Sequence, residues 1–439
     1  MRHSWSSSLN YVLVTAGATI GFGATWRFPY LVGQNGGGAY VLTFIIAMFL
    51  IGIPMILVEN VIGRRAYQNT IDAFDGKYQR KQISKGWRIV GYMGLIGCFG
   101  IIAYYMVLGG RVLVYLTGVV LGDLDLSSPI SKQATQGFYE EHIGETYLAI
   151  TFYTLVFVIL NYAVLIKGVP NGIEKAAKVL MPLLFLCLIG VVIRNLTLDG
   201  AYQGVYFYLY PDFSKITAGL FIQVLGQVFF ALSLGFGVMI TLSSYLNKQE
   251  NLVKTATITS IINTALALLA GLMIFPSLFT FGLEPDSGER LVFEVLPLVF
   301  SRMYFGTFVA LAFFLLLLLV AFTTSITLYE PLITTAQEKL GLSRSKAVYF
   351  VLAATFIGGN IPCILDQGIF DTFYFISGNI FFVLTALGAS IFVGWVLGSD
   401  AKKELSNGFH YQGVINLWFY YVKFCVPIII LMIFIGGAF

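Results

Sequence analysis

Long apolar stretches separated by short polar connections run along almost the whole chain. About twenty consecutive apolar residues are enough to cross the hydrocarbon core of a bilayer as a helix. Backbone polar groups in lipid must be satisfied within the protein, and these stretches lack the alternating pattern of barrel strands. The pattern therefore predicts an all-α integral membrane protein with eleven transmembrane helices, at residues 9–34, 38–63, 88–120, 146–165, 170–195, 219–246, 253–282, 303–337, 346–363, 371–398 and 414–438.

Composition and charge agree with a membrane protein. Of 439 residues, 58% are hydrophobic and 11% charged, and the mean hydropathy is +0.83. Lysine and arginine concentrate in every second connection, so the positive-inside rule predicts a cytoplasmic N-terminus and an extracellular C-terminus in the cell inner (plasma) membrane. The net charge of +4 follows from this asymmetry, and no nucleic-acid partner is expected.

Two glycine motifs interrupt apolar stretches at matching positions. IGFG at 20–23 lies in the first predicted helix, and LGFG at 234–237 lies in the sixth. One such motif would more often mark close helix packing, but glycine also weakens a helix by about 1 kcal/mol relative to alanine. Paired interruptions indicate an inverted-repeat transporter. We predict a 5+5 inverted repeat with helices 1 and 6 broken at the membrane midplane, comprising 1–200 (first repeat), 201–400 (second repeat) and 401–439 (eleventh helix).

Several segments resemble the neurotransmitter:sodium symporter family, in its bacterial amino-acid-transporting branch. They are GATIGFGATWRFP at 17–29, NGGGAY at 35–40, GIPMILVENVIGR at 52–64, GQVFFALSLGFG at 226–237 and AFTTSITLYEP at 321–331. The resemblance implies a sodium-coupled symporter that imports a hydrophobic or aromatic L-amino acid by alternating access. A proton-coupled permease of the same fold and a non-transporting amino acid sensor are the alternatives. An enzyme is not indicated, because the sequence has no nucleophile and base pair, metal-ligand cluster or nucleotide motif.

The resemblance also implies a substrate site at the two breaks. The carboxylate would meet the N–H groups of Phe22 and Gly23 and the hydroxyl of Tyr105. The ammonium would meet carbonyl oxygens of Thr19, Phe230, Ala231 and Ser233. The substrate side chain would be lined by Ile101, Tyr105, Phe230, Phe236, Thr324 and Leu328, with room left by Ala18, Gly21 and Ala231. Relatives that carry amines have an acid where Gly21 stands, so glycine here favours an α-amino acid.

Sodium is the expected inorganic ion. The resemblance implies a complete second sodium site formed by the carbonyls of Gly17, Ile20 and Val320 and the hydroxyls of Thr323 and Thr324. The first site keeps Thr19, Ala231 and Asn263 but lacks two side-chain oxygens, because Ala24 and Ala231 replace an asparagine and a hydroxyl of relatives. No chloride is expected, since Phe44 and Ala267 stand where chloride-dependent relatives have hydroxyls.

Charged residues near the pathway are expected to act as gates. The resemblance pairs Arg27 with Asp371 outside, and Arg2 and Trp5 with Glu338 and Tyr245 inside. Glu59 is expected to accept hydrogen bonds from freed backbone, and Glu330 either to do likewise or to take a proton during the cycle. The expected partners are the amino acid, membrane lipid and, as an option left open, a second copy in a homodimer.

Overall fold

The computed structural model describes residues 4–78, 81–144, 146–283 and 290–436, and nearly all of their regular structure is helical. Two short strands, β1 (Lys77–Tyr78) and β2 (Lys81–Gln82), form an antiparallel hairpin in one connection. In chain order the helices are α1 (Ser8–Thr19), α2 (Phe28–Gln34, after the π-helical turn Gly23–Arg27), α3 (Gly38–Ala66), α4 (Lys85–Leu121), α5 (Lys132–Tyr139), α6 (Tyr147–Leu165), α7 (Val169–Leu196), α8 (Ala201–Leu209), α9 (Ala218–Ala231), α10 (Val238–Ser243), α11 (Leu252–Thr280), α12 (Leu291–Ser301), α13 (Gly306–Leu340), α14 (Arg344–Leu365), α15 (Gln367–Leu397), α16 (Ser399–Ser406) and α17 (Gln412–Ile435).

Nine of these helices, within the described ranges, are long and apolar enough to cross a membrane. They are α3, α4, α6, α7, α11, α13, α14, α15 and α17. The shorter pairs α1/α2 and α9/α10 fill the first and sixth predicted stretches, and each pair is interrupted in the middle. The all-helical membrane fold with two broken helices is thus confirmed. The count of eleven crossings and the repeat boundaries 1–200, 201–400 and 401–439 stay predictions.

The first break separates α1 from the π-helical turn that leads into α2. The helix α1 ends at Thr19, and the turn begins at Gly23. The N–H groups of Ala24 and Thr25 both donate to the carbonyl of Gly21, at 3.1 and 3.4 Å. The chain around Gly21 is therefore held by a tight turn at the point where the apolar pattern contains IGFG. Around it, α1 packs against α7, α11 and α13.

The second break is longer and requires left-handed backbone. Between α9 and α10, Ser233, Gly235 and Gly237 have φ angles of 50°, 83° and 75°. Glycine adopts this region at little cost, and a Cβ at Gly235 would lie only 2.2 Å from the carbonyl oxygen of Phe382. The LGFG motif therefore supplies both the backbone freedom and the close approach that this break needs.

Polar residues in the short connections set several helix starts. Ser7, Asn251 and Asp366 each accept a hydrogen bond from a backbone N–H in the first turn of α1, α11 and α15. Such N-caps stabilise a helix end by about 1 kcal/mol. The hydropathy pattern did not predict the short helices α5, α8 and α16, because segments of eight or nine residues are too short to resemble a membrane span.

A buried arginine joins three segments on the face where α1 begins. The Arg64 side chain is fully buried, and its Nε donates to Glu404 Oε1 at 2.8 Å. Its Nη1 donates to the carbonyl of Glu250 at 2.5 Å, and Lys248 Nζ lies 3.0 Å from Glu404 Oε2. Since a buried charge needs a partner, these contacts fix α3, α16 and the connection between α10 and α11 to one another.

Candidate functional site

The first break faces a buried hydroxyl on α4. A Cβ at Gly21 would lie 3.1 Å from Tyr105 Oη and 3.3 Å from Thr324 Oγ1. The rings of Phe22 and Tyr105 are 4.9 Å apart. The Tyr105 hydroxyl is buried close to Thr324 and to the backbone of Phe22, and it makes no hydrogen bond of good geometry in the described part of the chain. An unpaired buried polar group costs about 1–3 kcal/mol, so this hydroxyl is free to bind a polar ligand atom beside Gly21.

The second break contacts the first at several predicted positions. A Cβ at Gly23 would lie 2.7 Å from the Phe230 ring and 3.8 Å from the Cα of Ala231. The hydroxyl of Ser233 donates to the carbonyl of Ala18 at 2.9 Å. Residues of the two breaks that were predicted to bind the substrate therefore lie side by side, and the ring of Phe230 covers Gly23.

The other predicted lining residues are buried close by. Phe236 lies near Gly97 of α4, where a Cβ would be 3.6 Å from the Phe236 ring. The carbonyl of Leu328 accepts a hydrogen bond from Cys98 Sγ at 3.0 Å, and Ile101 follows on the same helix with 4% of its surface exposed. These residues lie on α4, in the second break and on α13.

Oxygen atoms of α1 and α13 form a first cluster, here called the Thr323 cluster and defined by Gly17, Ile20, Val320, Thr323 and Thr324. Thr324 Oγ1 donates to the carbonyl of Gly17 at 2.9 Å. Thr323 Oγ1 donates to the carbonyl of Val320 at 3.1 Å, and a Cβ at Gly17 would lie 3.3 Å from Thr323 Cβ. Ile20 is fully buried directly after α1. Oxygen atoms gathered in this way suit a small hard cation.

A second group of oxygens, the Asn263 cluster, comprises Thr19, Ala231 and Asn263. Asn263 Nδ2 donates to the carbonyls of Thr19 and Ala231 at 2.8 and 3.2 Å, while Asn263 Oδ1 is buried without a hydrogen-bond partner among the described residues. Rotating the amide by half a turn would point Oδ1 towards both carbonyls. Ala24 and Ala231 are buried here and contribute no side-chain oxygen. The three residues of the Asn263 cluster therefore lie together, but they offer few oxygen ligands to a cation.

Trp5 and Tyr245 meet on the face where the chain begins. The Trp5 backbone N–H donates to the carbonyl of Tyr245 at 3.2 Å, and Trp5 Nε1 donates to the carbonyl of Leu242 at 2.9 Å. Glu338 accepts hydrogen bonds from the backbone and side-chain nitrogens of Asn69 at 2.8 and 2.9 Å. Arg2 lies outside the described residues. The predicted contact between Trp5 and Tyr245 is thus formed, and Asn69 is a neighbour of Glu338 that sequence reasoning missed.

Asp72 continues this contact network in the connection outside the membrane. Lys339 Nζ donates to Asp72 at 2.6 Å, Asn69 Nδ2 donates at 2.8 Å, and Arg88 lies 3.4 Å away. Burial by itself would raise the pKa of Asp72, but the hydrogen bonds from Lys339 and Asn69 and the charges of Lys339 and Arg88 lower it below its usual value. The carboxylate therefore stays charged and ties α13 to the segment after α3.

Glu330 forms a two-point ion pair that the sequence did not reveal. Arg344 Nη1 and Nη2 lie 2.8 and 2.7 Å from its two carboxylate oxygens, and the hydroxyl of Tyr245 donates to it at 3.0 Å. Arg344 also donates to the carbonyl of Leu165. Two-point pairs of this type are strong and directional. These donors are side chains and not the freed backbone that was one of the two expectations for Glu330, and a cavity of about 380 Å³ lies beside Arg344.

Glu59 contacts the second break as predicted. Its Oε1 accepts a hydrogen bond of 2.6 Å from the backbone N–H of Gly235. That N–H lies in the left-handed segment, outside α9 and α10, so it does not form a hydrogen bond within a helix. A carboxylate at this point therefore stabilises the interrupted backbone.

The predicted ion pair between Arg27 and Asp371 is not formed in this structure. The guanidinium of Arg27 lies over the ring of Phe230, 4.5 Å from its centroid, and only 9% of the residue is exposed. Asp371 is on the exposed face of α15, where it accepts a hydrogen bond from Gln367 at 3.1 Å. The aromatic ring replaces the carboxylate as the neighbour of Arg27, so Arg27 and Phe230 together cover Gly23.

Comparison with known proteins shows what this arrangement is similar to. The model of the sodium:neurotransmitter symporter family matches residues 2–142 and 132–439. The chain is 61% identical to a protein of Haemophilus influenzae named "Uncharacterized sodium-dependent transporter", over 100% of this chain and 98% of the relative. It is 36% identical to the sodium-dependent transporter YhdH of Bacillus subtilis, over 98% and 97% of the two chains.

A solved structure agrees in both fold and length. The crystal structure of MhsT in complex with L-phenylalanine matches with a TM-score of 0.88 and 35% identity, over 100% of both chains. Proteins of the matching family are transporters and not enzymes, and the apolar helices make this chain an integral membrane protein. The chain therefore belongs to the sodium:neurotransmitter symporter family and is a sodium-dependent transporter.

Proposed function

We propose that this transporter is a symporter that imports a hydrophobic or aromatic L-amino acid together with sodium by alternating access. The observation that carries the proposal is the buried Tyr105 hydroxyl, which faces Gly21 at the first break, close to Thr324 and the backbone of Phe22, and makes no hydrogen bond of good geometry among the described residues. The similar protein MhsT was solved in complex with L-phenylalanine. A ligand that supplies an acceptor to Tyr105 would satisfy the hydroxyl.

The polar groups of the two breaks fit the two charges of an amino acid. The carboxylate would accept hydrogen bonds from Tyr105 and from the N–H groups of Phe22 and Gly23. Backbone N–H groups at the start of a helical segment favour an anion. The ammonium would donate to backbone carbonyls at Thr19, Phe230, Ala231 and Ser233, of which those of Thr19 and Ala231 lie close enough to accept hydrogen bonds from the same amide, that of Asn263. An acid in place of Gly21 would crowd this site, because a Cβ would already be 3.1 Å from Tyr105 Oη.

The proposed specificity rests on the residues that would surround the substrate side chain. Most are apolar, and Tyr105, Phe230 and Phe236 add aromatic rings. Pockets of this composition bind apolar ligand groups and use a few polar atoms for orientation. The lining residues are Ile101, Tyr105, Phe230, Phe236, Thr324 and Leu328.

Sodium would bind principally in the Thr323 cluster. Its two hydroxyl groups lie on α13, and its Gly17 carbonyl lies in the last turns of α1. An ion held between these helices would stabilise the end of α1, from which the substrate site begins. Binding of sodium and substrate would then favour each other, as coupled transport requires.

Alternating access would use the contacts on the two sides of the breaks. Opening to the outside requires Phe230 to move from Gly23, and Arg27 would move with it. Opening to the inside requires Trp5 to separate from Tyr245 and Leu242. In this proposal the N-terminus is cytoplasmic and the C-terminus extracellular, so the network around Trp5 is the inner gate.

Uptake into proteoliposomes tests the proposal. The purified chain is reconstituted, and uptake of labelled phenylalanine and leucine is measured with twenty competing amino acids, with and without a sodium gradient. We expect concentrative uptake that requires sodium and is competed best by apolar amino acids. Uptake driven by a proton gradient without sodium would favour a proton-coupled permease. Binding without flux would favour a sensor.

A further inference from the structure

Lys423 is a charged residue inside a membrane-spanning helix. It lies eleven residues after the start of α17 (Gln412–Ile435), about 16 Å along the helix axis. Because helical side chains lean toward the helix N-terminus, its ammonium lies nearer to the start of α17 and to the membrane face than its Cα does. Within residues 4–78, 81–144, 146–283 and 290–436, no carboxylate lies within 4.0 Å of its Nζ. The ammonium instead lies over the rings of Trp395 and Phe424, 4.4 and 5.4 Å from their centroids. An ionisable residue in this position is expected to have a function or a partner.

The backbone around Lys423 is specifically shaped. The π-helical turn Tyr421–Cys425 of α17 packs against the π-helical turn Phe392–Leu397 of α15. A Cβ at Gly394 would lie 2.8 Å from the Cα of Lys423, so glycine permits the close approach. Trp395 Nε1 donates to the carbonyl of Lys423 at 3.2 Å. These contacts hold the backbone of Lys423 against α15.

A second lysine, on α16, contacts rings beside those that Lys423 contacts. The rings of Trp395, Phe419, Tyr420 and Phe424 are here called the aromatic cluster. Lys402 Nζ lies 4.6 Å from the centroid of Phe419 and donates to Asn416 Oδ1 at 2.9 Å. Lys423 Nζ lies 6.0 Å from the same ring. Both ammonium groups therefore lie near the same aromatic ring, and their long, flexible side chains allow them to approach one phosphate diester from α16 and from α17.

The carboxylates of α16 already have other partners. Glu404 contacts Arg64 and Lys248, at 2.8 and 3.0 Å. Asp400 lies 3.5 Å from Lys403. The aromatic cluster thus carries two positive charges that these acids do not neutralise, and an anion from outside the chain would complete it.

We propose that Lys402 and Lys423 bind the phosphate of an anionic phospholipid headgroup. Trp395, Tyr420 and Phe424 are 58%, 54% and 50% exposed, and aromatic side chains of this kind are typical of the membrane–water interface. The α16 sequence, SDAKKELS, is polar and is tied to Arg64, so it lies at the membrane face where α1 begins. The acyl chains would then extend along the apolar second half of α17.

Lipid retention by the purified full chain tests this site. Phosphatidylglycerol is added in detergent, and bound lipid is counted by native mass spectrometry. Each basic residue near anionic lipid contributes about a factor of five to binding. We therefore expect the double variant Lys402→Gln/Lys423→Gln to bind roughly 30-fold more weakly than the native chain. Lys402→Arg/Lys423→Arg keeps both charges and should retain the lipid.

Lys403→Gln is the matched control, because Lys403 neighbours Lys402 on α16 but lies beside Asp400. It should bind phosphatidylglycerol as the native chain does. Thermal unfolding in phosphatidylcholine shows whether each variant is folded. Equal retention by the native chain and the double variant, or equal binding of phosphatidylglycerol and phosphatidylcholine, would overturn the proposal. Displacement of the lipid by millimolar inorganic phosphate would assign the two lysines to free phosphate and would also overturn it.

Discussion

The two oxygen clusters at the first break differ in the group that must move to admit a cation. In the Thr323 cluster the donors are hydroxyls, such as that of Thr324 bound to the carbonyl of Gly17 at 2.9 Å. A hydroxyl oxygen keeps its place and needs only to rotate its hydrogen away. In the Asn263 cluster an amide nitrogen occupies the space between two carbonyls, at 2.8 and 3.2 Å. There the whole amide must turn before an oxygen faces the ion.

This difference indicates how sodium and substrate divide the site. The Thr323 cluster brings its own oxygens from α1 and α13, whereas the Asn263 cluster would be completed only when the substrate carboxylate arrives. We therefore expect cation binding at the Thr323 cluster to precede substrate binding. Three kinds of change test this expectation. In order of decreasing effect, they are the addition of a charge, the removal of a polar atom and the replacement of an ion.

The largest effect is expected for Gly21→Asp. Two negative charges about 4 Å apart repel by about 4 kcal/mol at an effective dielectric constant of 20, which corresponds to roughly a thousandfold loss of affinity for the substrate carboxylate. Amino acid uptake in proteoliposomes should fall to background. Gly21→Asn has the same size without the charge and separates repulsion from crowding against Tyr105 and Thr324. Retained uptake by Gly21→Asp would contradict the proposed position of the carboxylate.

Tyr105→Phe should have the next largest effect. A hydrogen bond to a charged group contributes about 1.5–3 kcal/mol, so the substrate dissociation constant should rise roughly 10- to 150-fold. Equilibrium binding of labelled amino acid gives the value. Tyr104→Phe is the control, since the Tyr104 hydroxyl is also buried and unpaired in the described part of the chain, but its ring packs against Phe370 and Tyr374. Unchanged affinity in Tyr105→Phe would mean that the ring only packs.

Thr323→Val changes sodium dependence more than substrate binding. The substitution replaces one hard-cation ligand by a methyl group of the same shape, so the sodium concentration for half-maximal uptake should rise by roughly tenfold. Thr327→Val is the control, because Thr327 lies one turn further on α13 and its hydroxyl donates to the carbonyl of Thr324 at 2.7 Å. If the two variants depend on sodium equally, the Thr323 cluster is not the coupling site.

The breaks were predictable because their cause is local. Glycine at positions 21, 23, 235 and 237 is the residue type that frees backbone or adopts positive φ, and the apolar stretches around it are long enough to make the interruption visible. The residues around Tyr105 and Thr323 came from the family resemblance, since single hydroxyls on apolar helices more often bond to their own helix. Thr323 does so here, with its hydroxyl 2.9 Å from the carbonyl of Leu319.

Contacts between distant segments were not predictable in the same way. Glu330 and Arg344 form a two-point pair across the connection between α13 and α14, but their spacing of fourteen residues carries no helical or strand signal. Arg27 faces the ring of Phe230 rather than Asp371. This contact depends on how the two breaks pack against each other, which the sequence pattern does not show. The π-helical turns around Lys423 likewise depend on helix packing, and the hydropathy pattern does not predict them.

The smallest effect is expected when chloride is replaced by gluconate. Phe44 is fully buried against Phe28, with ring centroids 4.5 Å apart, and Ala267 is buried as well, so neither position offers a donor. The side-chain amides of Gln227 and Asn263 already donate to backbone carbonyls, the former to Gly23 at 2.8 Å. A desolvated anion would therefore lack enough donors to offset its burial.

Uptake should consequently be unchanged in gluconate. A separate expectation concerns sodium: its Hill coefficient should be near one, because the Asn263 cluster lacks side-chain oxygens at Ala24 and Ala231. Sodium and substrate flux in the same vesicles at several membrane voltages measures the stoichiometry directly. A ratio of two sodium ions per substrate would show that the Asn263 amide rotates and that the substrate carboxylate completes a second ion site. Loss of uptake in gluconate would mean that the two amides exchange their carbonyl acceptors for chloride, which would reverse the inference drawn from Phe44 and Ala267.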